Sequence, residues 1–285
     1  MIVITGASGQ LGRLVIAELL AQGVPAGQIV AAVRSPAKAA DLAAQGLPVR
    51  EADYSRPDTL TSAFAGAERV LLISSSEVGQ RLPQHLAVLQ AAQAAGVAQL
   101  VYTSLLRADT TPLGLGAEHA ATEAAIRASG LRHVILRNGW YTENYLASVP
   151  PALQHGAFIG SAGEGRIASA TRADYAAAAA AVLTQPIGEN RTYELAGDTA
   201  YTLVDLVAEL NAQTGQAVAY VNLPQAEFEA ALNGAGLPAP LSALLADSDV
   251  GAAQGGLFDD GHQLSALIGR PTTPLAQALA AALAA

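Results

Sequence analysis

The stretch Thr5-Gly6-Ala7-Ser8-Gly9-Gln10-Leu11-Gly12 decides the fold, because it joins an apolar run to a segment with helical periodicity. Its first glycine permits a tight strand-to-helix turn, its second lets the backbone approach a pyrophosphate, and its third lets helix and strand pack closely. A pyrophosphate placed there would face free N–H groups at the positive end of the helix. An ordinary glycine-rich turn is the alternative, but the strand–turn–helix context favours a dinucleotide site.

Around this stretch, short β-branched runs alternate with helical patterns. The predicted strands are Ile2–Thr5, Ile29–Arg34, Val70–Ile73, Leu100–Thr103 and Val134–Arg137, with a weaker one at Pro48–Ala52. The predicted helices are Gln10–Gln22, Ala37–Gln45, Pro57–Phe64, Gln80–Ala95 and Ala117–Ser129, the first with a buried stripe of Leu11, Leu14, Val15 and Leu19. Repeated units of this kind predict an α/β fold with a Rossmann-like, doubly wound parallel sheet.

After Tyr141 the alternation loosens. Further helices are expected at Ala173–Leu183, Leu203–Gln213, Gln225–Ala235 and Pro274–Ala284, short strands at Thr192–Leu195 and Val218–Val221, and turns over Phe158–Gly165. This pattern predicts a nucleotide-binding domain over residues 1–150 and a smaller, mostly helical C-terminal lobe over 151–285. The chain could cross between the two more than once, so the boundary is soft.

Composition excludes several classes of protein. The chain has 285 residues, of which 51% are hydrophobic and 14% charged, and its net charge of −9 argues against a nucleic-acid surface. No apolar run approaches the roughly 20 residues that span a bilayer. Because there are no cysteines and no basic, apolar leader at the N-terminus, we expect a cytoplasmic protein without membrane insertion.

The end of the second predicted strand indicates which nucleotide binds. An NAD enzyme would place Asp or Glu there to accept from the ribose 2′-hydroxyl, whereas this chain has Arg34. A guanidinium can meet a 2′-phosphate with a charge-assisted fork, and Lys38 can add a second charge. A solvated surface arginine is the alternative. The sequence therefore predicts NADPH.

Polar side chains also follow the other strands, where ligands of open α/β sheets bind. Ser74, Ser75 and Ser76 are small enough for a cofactor to lie close, and the run from Asn138 through Gly139 and Trp140 to Tyr141 falls near the expected nicotinamide. Asp53-Tyr54 could flank adenine, and Thr103-Ser104 ends another strand. Helix capping or core packing is the alternative for each residue taken alone.

One expected catalytic pair is missing. Short-chain dehydrogenases commonly use Tyr-x-x-x-Lys, in which lysine lowers the tyrosine pKa, but Lys38 is the only lysine and no tyrosine stands four residues before it. A hydride acceptor that needs little acid catalysis, such as a quinone, fits better. The five histidines form no metal motif, and His119 is expected on a solvated helix surface.

Taken together, these motifs resemble those of a known family. The matching stretches are Thr5–Gly12, Val33–Lys38, Leu72–Gln80, Tyr102–Leu106, Leu136–Tyr141, Ile167–Tyr175, Leu257–Asp260 and Leu267–Gly269. They are similar to the NAD(P)H:quinone oxidoreductases of type 2, which are NmrA-like atypical short-chain dehydrogenases. Ser8 and Ser35 are mild departures, where the family pattern has Thr and Asn.

The resemblance implies an NADPH-dependent transfer of hydride to a small-molecule quinone held in a cleft between two domains. It implies cofactor contacts from Gly6, Ala7, Ser8, Gly9, Gln10, Leu11, Arg34, Ser74, Ser75, Ser76, Asn138, Gly139, Trp140, Tyr141, Thr142 and Glu143. It supplies no general acid, so the catalytic residues stay unknown. Ser104, His119, Tyr145 and Phe258 are the candidates for the substrate pocket. A redox sensor without turnover, a triphenylmethane or azo dye reductase, and a homo-oligomer remain open.

Overall fold

The computed structural model describes residues 1–284. Seven strands form one sheet in the order β3-β2-β1-β4-β5-β6-β8, and two more, β7 and β9, pair separately. The strands are β1 (Ile2–Thr5), β2 (Ile29–Val33), β3 (Val49–Glu51), β4 (Arg69–Leu72), β5 (Gln99–Leu105), β6 (His133–Asn138), β7 (Ala157–Gly160), β8 (Arg191–Leu195) and β9 (Ala219–Asn222).

Helices connect most of these strands. They are α1 (Gln10–Ala21), α2 (Ala40–Ala44), α3 (Pro57–Ala63), α4 (Arg81–Ala94), α5 (Gly116–Ala128), α6 (Thr142–Leu146), α7 (Val149–His155), α8 (Arg172–Thr184), α9 (Leu203–Thr214), α10 (Gln225–Gly234), α11 (Ala239–Ala253), α12 (Gln263–Ile268) and α13 (Leu275–Leu283). Short 3-10 turns occupy 26–28 and 36–39. None of these helices is both long and apolar enough to cross a membrane.

The strand order confirms the doubly wound sheet. β1 pairs in parallel with β2 on one side, Thr5 opposite Ala32, and with β4 on the other, Val3 opposite Val70. The chain therefore reverses its winding between β1 and β4, which is where such sheets bind ligands. β2, β5 and β6 are buried along their whole length, as expected for strands covered on both faces.

Helix α1 differs from its predicted stripe. Leu11, Val15, Ile16 and Leu19 are buried, whereas Leu14 is exposed, so Ile16 takes the place that the sequence reading gave to Leu14. α1 packs against α8, the alanine-rich helix. Alanine side chains let two helices approach closely, and α8 is buried on nearly all sides, as expected of a helix whose pattern has no polar face.

The chain divides into two compact units. The first contains Met1–Leu105, Ala117–Asn138 and Arg172–Tyr193, and the second contains Leu106–Gly116, Gly139–Thr171 and the chain from Glu194 onward. These units do not follow a single boundary at residue 150, because α8 belongs to the first unit and 139–150 to the second.

Two elements of the second unit differ from those predicted from the sequence. The strand β7 forms where turns were expected, pairing in parallel with β9. The fifteen-residue helix α11 was not predicted. Its buried side includes Ser242, Ser248 and Asp249, so its pattern lacks the apolar stripe that identifies a packed helix.

Candidate functional site

A cavity of about 300 Å³ opens in the first unit at the carboxyl ends of β1, β2, β3 and β4. Its walls come from the glycine turn, the ends of three strands and one side chain of α4. The lining residues are Gly6, Ser8, Gly9, Arg34, Ala52, Asp53, Tyr54, Ile73, Ser74, Ser75, Ser76, Glu77 and Gln84. Seven of the predicted cofactor contacts therefore border one cavity, at the position where the sheet reverses its winding.

The glycine turn has the geometry that its sequence requires. Gly6 adopts a left-handed φ of 59°, and the Gly9 N–H donates to the Gly6 carbonyl at 2.9 Å. A Cβ at Gly12 would lie 2.5 Å from that carbonyl oxygen and 2.7 Å from the Ala7 Cα, so no side chain fits. The first turn of α1 contains no acidic residue. Its N–H groups and dipole are thus available to an anion.

Arg34 stands at the cavity edge, directly after β2. Its Nη1 donates to Glu77 Oε1 at 2.8 Å, and its side chain is 72% exposed. Lys38 lies in the 3-10 turn after it, and the Lys38 carbonyl accepts from Arg13 Nη2 at 3.1 Å. Arg13 also donates to the Ser8 carbonyl, so this turn is tied to the glycine turn.

Buried polar side chains form hydrogen bonds to the backbone of the serine segment, Ser74–Ser76. The Ser74 N–H donates to Thr103 Oγ1 at 2.9 Å, and the Ser75 N–H donates to His85 Nε2 at 3.0 Å. Arg81, itself buried, donates through Nε to the Ser75 carbonyl. Thr103 is therefore a link between two strand ends, and the segment has a fixed shape at the cavity wall.

Tyr54 closes another part of the wall. Its hydroxyl donates to the Ile73 carbonyl at 2.8 Å and lies against the Thr5 hydroxyl. Burial raises the pKa of Tyr54 above its ordinary value. At neutral pH the phenol is therefore a hydrogen-bond donor, not a base.

His119 does not lie on a solvated helix surface, contrary to the expectation. Only 5% of it is exposed, and its Nδ1 contacts the Tyr102 hydroxyl at 2.8 Å. Burial, assisted by the nearby charge of Arg81, lowers the pKa of His119 to about 3. The helix carrying it packs on the sheet with its polar side chains inward, which the hydrophobic pattern did not indicate.

Ser104 belongs to a buried ionic cluster. Its hydroxyl donates to Glu123 Oε1 at 2.6 Å, and Arg137 donates to both oxygens of the same carboxylate, through Nε at 2.8 Å and Nη2 at 2.7 Å. Burial opposes ionisation of Glu123, but the hydrogen bonds from Arg137 and Ser104 outweigh it and lower the carboxyl pKa. Such a bidentate pair stabilises the charged form.

The predicted nicotinamide segment spans both units. Asn138 ends β6 in the first unit and is 4% exposed. In the second unit, the Gly139 N–H donates to the Leu195 carbonyl at 2.8 Å, and the Thr142 hydroxyl contacts Ser169 Oγ at 2.8 Å. Trp140 is buried, whereas Tyr141 and Glu143 are partly exposed.

Tyr145 lies in the second unit beside a buried carboxylate. Its hydroxyl donates to Asp249 Oδ1 at 3.0 Å, and the Ser161 N–H donates to Asp249 Oδ2 at 2.8 Å. Burial raises the pKa of both Tyr145 and Asp249. Trp140 and Tyr145 border a cavity of about 30 Å³ with further aromatic walls from Phe158 and Phe228.

Phe258 lies elsewhere in the second unit, partly exposed. The Arg166 guanidinium carbon is 4.7 Å from its ring centroid. This is a cation–π arrangement, which fixes the orientation of the ring.

Three observations fit a bound NAD(P)H. The glycine turn leaves no room for side chains between its backbone and α1. Within residues 1–284, Gln84 Oε1 and Asn138 Oδ1 are buried without a hydrogen-bond partner. Both are acceptors in the first unit, and an adenine amino group or a nicotinamide carboxamide has the N–H donors that they lack.

Sequence reasoning did not assign Glu77 and Gln84 to the site. Gln84 is one side chain of an otherwise ordinary helix, and its place at the cavity depends on how α4 packs. Glu77 directly follows the serine run, so its place in the sequence already put it near the site. It was not chosen because an acidic residue is not expected beside a binding site for an anion. The described residues contain no cluster of His, Cys, Asp and Glu able to hold a metal ion.

Comparison with known proteins supports the nucleotide site. A family model described as NAD(P)H-binding matches residues 6–186. Quinone oxidoreductase 2 of Escherichia coli K12 is 62% identical over 279 residues, which are 98% of this chain and 97% of that protein. A crystal structure of the NADPH-dependent quinone oxidoreductase of Escherichia coli, complexed with NADPH, has a TM-score of 0.96 at 61% identity and covers 99% of this chain and 100% of its own.

A more distant match shares the same architecture. The structure of triphenylmethane reductase from Citrobacter sp., complexed with NADP(H), has a TM-score of 0.92 at 37% identity, covering 99% of this chain and 100% of its own. The family inferred from the sequence is therefore confirmed. The chain belongs to the NAD(P)H-binding family and, within it, to the same branch as Quinone oxidoreductase 2.

Proposed function

We propose that the chain is an NADPH-dependent oxidoreductase that reduces quinones. The observation that carries the proposal is the cavity at the sheet reversal, with the N-terminus of α1 on one side and Arg34 on another. Nearly full-length identity of 62% to Quinone oxidoreductase 2 supports the same conclusion.

The proposed contacts divide the nucleotide among three parts of the chain. The stretch from Gly6 to Leu11 would receive the pyrophosphate on those of its backbone N–H groups that the protein does not already engage, and Arg34 with Lys38 would receive the 2′-phosphate. Ser74 to Ser76 would flank the central part. The stretch from Asn138 to Glu143 would hold the nicotinamide, which supplies a hydride when bound.

Four buried tyrosines are poor candidates for a phenolate that does acid–base work. Burial raises the pKa of Tyr54, Tyr102, Tyr145 and Tyr201, the reverse of what a lysine does to the tyrosine of common short-chain dehydrogenases. Quinones suit such a site because the reduced product is an aromatic hydroquinone, whose oxygens can take protons from water. Orientation of the two reactants can then supply most of the rate enhancement.

For the acceptor side we propose Trp140 and Tyr145, because flat aromatic walls suit a planar ring. The cavity that they border is small, so a quinone would lie against the rings and not between them. The hydrogen bonds of Ser104 and His119 inside the first unit favour supporting roles for these two candidates. Phe258 remains a proposed pocket residue.

The test is the loss of NADPH absorbance with a small benzoquinone as acceptor. We expect saturable turnover with NADPH, and slower turnover with triphenylmethane or azo dyes. Faster turnover with dyes would favour the dye-reductase function, which the likeness to triphenylmethane reductase keeps as the second candidate. Saturable NADPH binding without turnover on either acceptor would contradict both and indicate a redox sensor.

We propose a cytoplasmic location, since a chain without cysteine shows no adaptation to an oxidising compartment. Self-association stays a prediction that sedimentation equilibrium would test.

A further inference from the structure

We infer that Glu77 narrows the preference of the site for NADPH over NADH by acting as an internal anion that occupies Arg34 until a 2′-phosphate displaces it. The inference rests on the proposed function, since it concerns the same nucleotide site. It assigns a specificity role to an acidic residue where the charge pattern alone suggested only cations.

Glu77 contacts Arg34 and Gln84 at the same time. Glu77 Oε1 accepts from Arg34 Nη1 at 2.8 Å, and Glu77 Oε2 accepts from Gln84 Nε2 at 2.8 Å. All three side chains line the same cavity. Both carboxylate oxygens are therefore engaged at the place where a 2′-phosphate is expected.

Glu77 is carried by a backbone segment that hydrogen bonds hold in place. Its N–H donates to Ser75 Oγ at 3.1 Å, and Ser75 is in turn held by His85 and Arg81. Two residues later, the Gly79 N–H donates to Glu118 Oε1 at 2.9 Å. Because hydrogen bonds hold the backbone on both sides of Glu77, only its side chain is free to move away from Arg34.

The Arg34–Glu77 pair is open to solvent. The Arg34 and Glu77 side chains are 72% and 45% exposed, so water and salt weaken their attraction. A pair of this kind is strong enough to compete with a ligand but weak enough to be displaced by a phosphate dianion.

The two nucleotides then differ in what they must displace. NADPH has to take Arg34 from Glu77 and place a phosphate near the carboxylate. NADH carries an uncharged 2′-hydroxyl, which can donate to the carboxylate while the ion pair persists. Glu77 therefore lowers the affinity for NADPH and leaves that for NADH nearly unchanged, which narrows the preference that Arg34 creates.

The test is a fluorescence titration of both nucleotides against wild type, Glu77→Gln and a control. The amide keeps the shape and a neutral acceptor but removes the charge, so we expect the Kd for NADPH to fall roughly three- to tenfold. The Kd for NADH should change by less than twofold or rise slightly. Glu51→Gln is the matched control, because Glu51 forms an exposed pair of the same length with Arg56 but does not line the cavity.

A double-mutant cycle tests whether the effect passes through Arg34. Arg34→Ala alone should raise the Kd for NADPH about tenfold, and in that background most of the Glu77→Gln effect should disappear. Equal NADPH affinity of wild type and a Glu77→Gln variant with an unchanged melting temperature would overturn the inference alone. Wild type that binds neither nucleotide would overturn the proposed function, and the inference with it.

Discussion

The imidazole of His85 joins the serine segment to helix α5 through contacts of its two ring nitrogens. Its Nε2 accepts from the Ser75 N–H, and its Nδ1 lies 3.0 Å from Thr122 Oγ1. The Thr122 hydroxyl gives its own proton to the Glu118 carbonyl, so Nδ1 must carry the imidazole proton. Burial, together with the charge of Arg81, lowers the pKa of His85 to about 4.

This depressed pKa predicts a pH-dependent stability. Above about pH 6.5 the imidazole is neutral in folded and unfolded chains alike. Below it the unfolded chain takes up a proton that the folded chain refuses until the pH nears 4, so the free energy of unfolding falls by up to about 1.4 kcal/mol per pH unit. His119, whose pKa is also lowered by burial, adds a slope of the same sign.

Urea unfolding between about pH 7 and about pH 5 measures this slope. We expect His85→Gln to reduce the pH dependence of the free energy of unfolding by the uptake of about one proton, and to leave the contribution of His119. Replacing the exposed His155 by Gln is the control. A slope unchanged in His85→Gln would contradict the assignment.

At the scale of elements, the sequence predicted the parallel sheet well because buried strands and the glycine turn leave strong local patterns. It failed where burial does not follow hydrophobicity. α11 buries serine and aspartate, and α5 carries His119 inward, so neither packing face could be read from apolar spacing. The glycine, arginine and serine positions of the site are local features, whereas Gln84 reaches the cavity only through tertiary packing.

The contact between α1 and the glycine turn gives the next prediction. A methyl group at Gly12 would overlap the Gly6 carbonyl and the Ala7 Cα, both of them backbone atoms that cannot move aside as a flexible side chain would. We expect Gly12→Ala to lower the free energy of unfolding by roughly 1–3 kcal/mol. It should also weaken nucleotide binding at least tenfold, because the start of α1 would shift away from the turn.

Urea denaturation and a nucleotide titration measure the two effects. Gly27→Ala is the matched control, since nothing lies within 4 Å of a Cβ built there. Binding that survives in Gly12→Ala at wild-type strength would show that the close approach is unnecessary.

At the scale of the whole molecule, a net charge of −9 opposes the binding of an anionic ligand, so binding depends on local regions of positive potential. The N-terminus of α1 and the Arg34 guanidinium provide such regions. If they act on the folded chain alone, NADPH must stabilise it by mass action.

We expect NADPH at a hundredfold excess over its Kd to add about 2.7 kcal/mol to the free energy of unfolding. The melting temperature should then rise by roughly 5 °C. Calorimetry with and without nucleotide measures the shift, with ATP at equal concentration as the control for nonspecific anion effects. An equal shift with ATP, or none with NADPH, would contradict a specific site.

The discontinuous build of the first unit has a consequence for synthesis on the ribosome. Its third segment, Arg172–Tyr193, brings α8, which packs on α1, so a nascent chain halted near residue 150 holds the nucleotide turn but leaves uncovered the part of α1 that contacts α8. The unit can close only after Tyr193 has left the exit tunnel. Until then the chain exposes apolar surface of the kind that makes incomplete chains prone to aggregation.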